Sequence, residues 1–126
     1  MARAVPRLGN VQLQIMQALW QHGSATAREV TDALSESKPI ALSTVQTLLR
    51  QMEAKGAVGH EVRDRVFIFR ALFAEPEVTG GVTHDLLDRL FNGSAYGMVS
   101  YLLRHERISP EELRRLRELI DEEEQR

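Results

Sequence analysis

The 126-residue sequence contains no cysteine. That absence removes disulfide frameworks, zinc ribbons and copper-thiolate clusters, and it suits a reducing compartment, so a cytoplasmic location is expected. No run of about eighteen uncharged apolar residues occurs, and no apolar stretch follows Met1-Ala2-Arg3-Ala4-Val5-Pro6-Arg7. Neither a signal peptide nor membrane insertion is expected. There is no internal repeat, and the only biased stretch is the acidic Asp121-Glu122-Glu123-Glu124. Also missing are a nucleophile with its base and orienter, and a glycine-rich phosphate loop, so no catalytic residue, no enzyme activity and no cofactor are predicted. The four histidines, His22, His60, His84 and His105, are scattered. His84 and Asp88 stand at i, i+4, where two ligands can share a metal, but no third ligand adjoins them. They read as a solvent-facing pair, and no metal site is predicted.

What is present is an ordinary globular balance, 43% hydrophobic and 27% charged, with a net charge of −2. The charge is unevenly spread. Residues 1–72 hold nine Lys/Arg against six Asp/Glu, whereas residues 73–126 hold seven against twelve. Only the first part has the sign to face phosphate.

The apolar spacing of Val11, Ile15, Ala18 and Leu19 predicts a first helix, capped by Gly9 or Asn10 and stopped at Gly23. Trp20 ends this stripe and reads as core. Thr26-Ala27-Arg28-Glu29 is a capping box and opens a second helix carrying Val30 and Leu34 inward. Lys38-Pro39 then enforces an extended turn. Ser43-Thr44-Val45-Gln46 repeats the capping-box pattern and opens a third helix with Val45, Leu48, Leu49 and Met52 inward, ending at Lys55-Gly56. Its other face offers Thr44, Gln46, Thr47, Arg50 and Gln51, hydrogen-bonding groups without an acid. Glutamine can pair bidentately with adenine and threonine can touch a thymine methyl, so this face suits base edges.

After Gly56 the period changes. Residues 57–63 and 65–72 are rich in Val, Phe and Ile and read as a hairpin turning at Arg63-Asp64-Arg65, with a basic tip. Phe67 and Phe69, two apart, share a face that suits a core. Three helices followed by a hairpin describe a winged helix-turn-helix. The predicted class is mainly α with a small β-wing: a DNA-binding domain over residues 1–74, then a three-helix C-terminal dimerisation segment over 75–126. In the latter, the first helix runs from about Glu77 to Phe91, weakened by Gly80-Gly81 and apolar at Leu86, Leu87, Leu90 and Phe91. Asn92-Gly93 stops it. Ser94 caps a helix with Met98, Val99, Leu102 and Leu103 in a stripe, and Ser109-Pro110-Glu111-Glu112 opens one carrying Leu113, Leu116, Leu119 and Ile120. So few residues in short amphipathic helices enclose too small a core alone, and a second copy of the same segment is the economical cover.

Five motifs, in order, now resemble the penicillinase repressor family, the BlaI/MecI/CopY type of winged-helix transcriptional regulators. They are Leu8 with Ile15-Met16-Gln17-Ala18-Leu19-Trp20; the segment Ser43-Thr44-Val45-Gln46-Thr47-Leu48-Leu49-Arg50-Gln51-Met52 with Lys55-Gly56; the wing Arg65-Val66-Phe67-Ile68-Phe69; Leu90-Phe91-Asn92-Gly93-Ser94; and Ile108-Ser109-Pro110-Glu111-Glu112-Leu113. The resemblance implies a bacterial repressor occupying palindromic double-stranded operator DNA as a homodimer, often on TACA and TGTA half-sites. It also implies relief by proteolysis through a membrane sensor protease, or by copper in one branch. That copper branch carries C-terminal cysteines with no counterpart here. Relatives cut by the protease route are cleaved between Asn and Phe, and the aligned pair here is Tyr101-Leu102. The residues expected at DNA are Ser43, Thr44, Gln46, Thr47, Arg50, Lys55, Arg63 and Arg65, with Arg3 and Arg7 on an arm that either approaches the backbone or is disordered. The competing reading is a winged-helix adaptor that binds protein, favoured by the few basic residues of the third helix and the acidic C-terminal part.

Overall fold

The computed structural model describes residues 4–126; Arg3 lies outside the described residues. Helix α1, Asn10–His22, starts at Gly9, whose N–H donates to Gln12 Oε1 at 2.9 Å. Ile15, Ala18 and Leu19 are buried as expected, but Gln12 takes the place expected of Val11. Gln12 is only 7% exposed and Val11 is 37% exposed, because the Gln12 amide folds back to satisfy the helix start while its stem joins Ile15, Met16 and Leu19. Gly23 stops the helix at φ 81, a left-handed conformation natural to glycine, and its N–H donates to Leu19 O.

Strand β1 (Ala25–Thr26) leads directly into α2 (Ala27–Ser35). The Thr26 hydroxyl accepts from Glu29 N–H at 3.1 Å, and Glu29 Oε1 accepts from Thr26 N–H at 2.8 Å, so the expected capping box is formed. The backbone and hydroxyl bonds from Thr26 hold the Glu29 carboxyl below its ordinary value, and the nearby His22 adds a smaller effect in the same direction. Since the folded state favours the ionised form, this contribution is complete above the unfolded carboxylate range and fades as pH falls through the lowered folded value. Thr26→Ala should lower the unfolding free energy at neutral pH by about 1 kcal/mol. In denaturant titrations the deficit should shrink in acid.

Helix α3, Leu42–Ala54, corrects the expected start. Its cap is Ala41, whose carbonyl already accepts from Thr44 N–H at 3.1 Å and Val45 N–H at 3.2 Å. Ser43 therefore sits inside the first turn and caps nothing. Strands β2 (Val58–Arg63) and β3 (Val66–Ala71) pair antiparallel from Val58↔Ala71 to Arg63↔Val66, leaving a two-residue turn, Asp64-Arg65, at φ 50 and 68. These are the signs of a type I′ hairpin. Arg65 thus belongs to the turn and not to the strand. β1 pairs β3 through Ala25↔Phe69 and Thr26↔Ile68, making a three-stranded sheet in the order β1-β3-β2.

The core joins Ile15, Met16 and Leu19 of α1, Val30 of α2, Val45, Leu49 and Met52 of α3, and Val58 and Phe69 of the sheet. Trp20 packs against it and donates from Nε1 to Phe73 O at 2.8 Å. Phe67 departs from the expected core role. It shares a sheet face with Phe69 but is 48% exposed against 5%, because it lies two residues nearer the hairpin tip, beyond the cover of the helices.

Helix α4, Glu75–Phe91, begins two residues earlier than expected; Ala74 N–H donates to Glu77 Oε1 at 2.9 Å. Val78 is buried with the N-terminal core, and Val5 packs 3.5 Å from where a Gly81 side chain would begin. The chain divides into compact units Met1–Val82 and Thr83–Arg126, a division that falls within α4. Gly80 has no neighbour within 4 Å of an added Cβ. Gly80→Ala should raise helix stability by about 1 kcal/mol, measurable as a higher thermal midpoint.

In the second unit, Asn92 and Gly93 turn the chain at φ 51 and 78. Ser94 caps α5 (Ala95–His105) through Gly97 N–H at 2.9 Å, and Ser109 caps α6 (Pro110–Glu124) through Glu112 N–H at 3.1 Å. Both starts match the sequence expectation. No residue of this unit is buried in the single chain.

Candidate nucleic-acid interface

Helix α3 is split lengthwise by its packing. Val45, Leu49 and Met52 are fully buried, which leaves Ser43, Thr44, Gln46, Thr47 and Arg50 exposed on the other side. This face is preorganised in part. Thr47 Oγ1 donates to Ser43 O at 3.0 Å and accepts from Arg50 Nη2 at 3.4 Å. The threonine hydroxyl is therefore engaged within the helix, leaving its methyl as the group to meet an apolar base edge. Gln46 has its amide exposed on this face.

The wing brings two arginines close in sequence but unequal in freedom. Arg63 Nη2 lies 2.7 Å from Glu61 Oε1, an exposed pair on one strand that offsets part of its charge. Arg65 makes no ion pair with any described residue and occupies a positive-φ position that glycine or asparagine would adopt more easily. A long cation held there at a conformational cost points to a role outside the fold. Lys55 is exposed at the end of α3. It is the C-cap of α3, and its Nζ donates to Arg7 O at 3.1 Å, tying the N-terminal arm to the end of this helix.

The sequence reading missed a side-chain contact linking helix and wing. His60 Nδ1 of β2 lies 2.8 Å from both carboxylate oxygens of Glu53, and the imidazole stacks on Phe67 with centroids 4.0 Å apart. His84 Nε2 pairs with Asp88 Oδ2 at 3.2 Å, with both side chains exposed. Among the described residues no three His, Cys, Asp or Glu groups gather as a metal site would require.

Of the twelve apolar residues expected to dimerise, Leu86, Leu90, Val99, Leu102, Leu103, Leu119 and Ile120 are exposed, while Leu87, Phe91, Met98, Leu113 and Leu116 are half-buried. Tyr101 and Leu102 lie within α5, where Tyr101 O accepts a hydrogen bond at 3.0 Å from the His105 ring, which also stacks on Tyr101.

This arrangement of helices, sheet and exposed polar helix agrees with known proteins. The penicillinase repressor family model matches residues 8–122. The chain belongs to the penicillinase repressor family. It is 29% identical to the penicillinase repressor of Bacillus licheniformis over 98% of this chain and 97% of that one. It is 18% identical to the methicillin resistance regulatory protein MecI of Staphylococcus aureus over 90% and 93%. Among solved structures, the DNA-binding domain of the repressor BlaI superposes with TM-score 0.52 at 30% identity, covering 61% of this chain and 93% of that one. Monomeric B. licheniformis BlaI in complex with the blaP half-operator gives 0.50 at 30% identity, covering 57% and 88%. The reduced form of Escherichia coli MarR, at 16% identity and TM-score 0.52, shares the fold. Penicillinase repressor family membership makes the chain a winged-helix, DNA-binding repressor and not an enzyme. No described helix is long and apolar enough to cross a membrane.

Proposed function

We propose that this repressor binds palindromic operator DNA as a homodimer, with α3 in the major groove and Arg65 of the wing on the phosphate backbone. The observation that carries the reading is the outward face of α3. Ser43, Thr44, Gln46, Thr47 and Arg50 are exposed together on a helix whose opposite side is locked into the core. Such a face adds nothing to the fold and matches the donors and acceptors of base edges. The complex of monomeric BlaI with the blaP half-operator supports the binding of operator DNA.

A twofold dimer requires an inverted repeat, with half-site centres about one helical turn or a multiple apart. Fragments of the source genome selected by the full-length protein should share such a repeat. Their binding should weaken steeply with salt as counterions released from phosphate become costlier to release. Recovery of fragments without a shared repeat, or no duplex binding at low salt, defeats the proposal.

Relief of repression follows most directly from damage to the C-terminal unit. Cutting between Tyr101 and Leu102 would break α5 in its middle and scatter its apolar stripe. Since that peptide lies in a hydrogen-bonded helix, cleavage requires local unwinding first. A membrane sensor protease or another signal supplies the trigger; mass spectrometry of the repressor from induced cells should find a fragment ending at Tyr101 if the route is proteolytic. The adaptor reading draws on the exposed Val62, Val66 and Phe67 of the wing. It is preferred if neutralising Arg63 and Arg65 leaves DNA binding unchanged.

A further inference from the structure

We infer that His60 is a positioning residue for DNA binding: through Glu53 and Phe67 it locks the wing to the end of the recognition helix, so that helix and wing arginine meet DNA as one body. The inference rests on the proposed DNA reading and concerns how that site is assembled.

Glu53 is the sole acid of α3 and sits in its last turn. An uncommitted carboxylate there would repel nearby phosphate. Instead both its oxygens lie 2.8 Å from His60 Nδ1, which donates its proton to them. The pair is only partly exposed, 26% for the histidine side chain and 36% for the glutamate, so solvent screens it less than a free surface pair. On the other side the imidazole lies on Phe67 at 4.0 Å with an interplanar angle of 10°, and it meets Phe69 tilted at 5.7 Å. His60 is the cross-strand partner of Phe69, and Phe67 stands two residues nearer the tip on the same face. One ring therefore touches the reading helix and both strands of the wing. This also explains why Phe67 is aromatic at a position the core does not cover.

Two effects of removing the carboxylate have opposite signs. Electrostatics alone predicts that losing a negative charge from the reading helix tightens DNA binding. The lock predicts weakening, because the wing loses its fixed angle and Arg65 must be ordered at the moment of binding.

The test is a set of full-length variants measured by fluorescence anisotropy on the selected operator. Glu53→Ala should weaken binding about tenfold, the loss expected from one charge-assisted hydrogen bond. Glu53→Gln keeps an acceptor for Nδ1–H while removing the charge, and should bind at least as tightly as the unaltered chain. Arg65→Ala should cost less in the Glu53→Ala background than in the unaltered chain, since the wing contact is already compromised; a merely structural effect would leave the two losses additive. Circular dichroism melts show that each variant is folded at the assay temperature. Glu53→Ala binding as tightly as the unaltered chain or tighter, or strict additivity with Arg65→Ala, overturns the lock while leaving the DNA reading intact. Failure of the unaltered chain to bind any duplex removes the DNA reading and the lock with it.

Discussion

A double substitution, Val99→Asp with Ile120→Asp, is expected to leave a folded monomer whose affinity for an isolated half-site is unchanged and whose affinity for the full inverted repeat falls by about 10²-fold or more. Both side chains are exposed in the single chain, at 44% and 53%, so neither substitution opens a cavity in the core around α3. Their cost arises only when a second copy would cover them. In a twofold interface each patch meets its equivalent, so every substitution enters twice and buries two unpaired charges. The large operator effect follows from linkage: once one half of a dimer is seated, the other binds at a high effective concentration, and that advantage disappears with the dimer. Sedimentation equilibrium gives the oligomeric state, and anisotropy on half-site and full-site duplexes gives the two affinities. A dimer that survives both aspartates places the interface elsewhere. A half-site affinity that falls as far as the full-site affinity would mean that folding, not pairing, was damaged.

The distribution of burial supports the proposed second copy. Every fully buried large side chain belongs to the N-terminal unit. Residues 83–126 hold eight of the sixteen leucines and both tyrosines yet bury none of them, with Leu90 and Tyr96 at 68% and 79% exposure. Exposed apolar side chains in this number are where the proposed second copy would pack. The acidic residues interspersed through α6 also disfavour contact with DNA, so under the proposed function DNA binding and dimerisation fall to different parts of the chain.

How much of this was legible depended on the range of the interactions. Thr26-Glu29 and Ser109-Pro110-Glu112 were readable because a cap and its partner lie within one turn. The same logic failed at Ser43, where Ala41 adopts the extended cap conformation and the helix begins before the serine. Pattern alone cannot choose between adjacent starts when the helix is held by its buried face. Strand β1 was not readable at all, since two residues show no alternation and their pairing depends on a distant strand. The winged helix-turn-helix was legible from the order of elements and the period change at Gly56, and the exposed polar face of α3 from the spacing of its apolar residues. The lock between Glu53 and His60 was not, because it crosses the corner from helix to strand, where neither helical nor strand spacing says which side chains meet.

Gln46 and Arg65 should fail in different ways, and the difference separates base reading from phosphate positioning. Gln46→Ala is expected to relax preference at one base pair of each half-site, at a cost of about 1–3 kcal/mol against the preferred operator and little against others. Arg65→Ala should instead weaken all sequences alike and reduce the steepness of the salt dependence by about one unit. The wing position allows a sharper version. Arg65 sits at φ 68 in a type I′ turn, a site where glycine relieves backbone strain. Arg65→Gly should therefore raise the unfolding free energy by roughly 1 kcal/mol while lowering affinity as much as alanine does. Stability and binding then move in opposite directions from one substitution. A variant that binds more weakly only because it is less stable cannot show this, and an Arg65→Gly protein with both quantities unchanged would show that the arginine neither strains the hairpin nor touches the duplex.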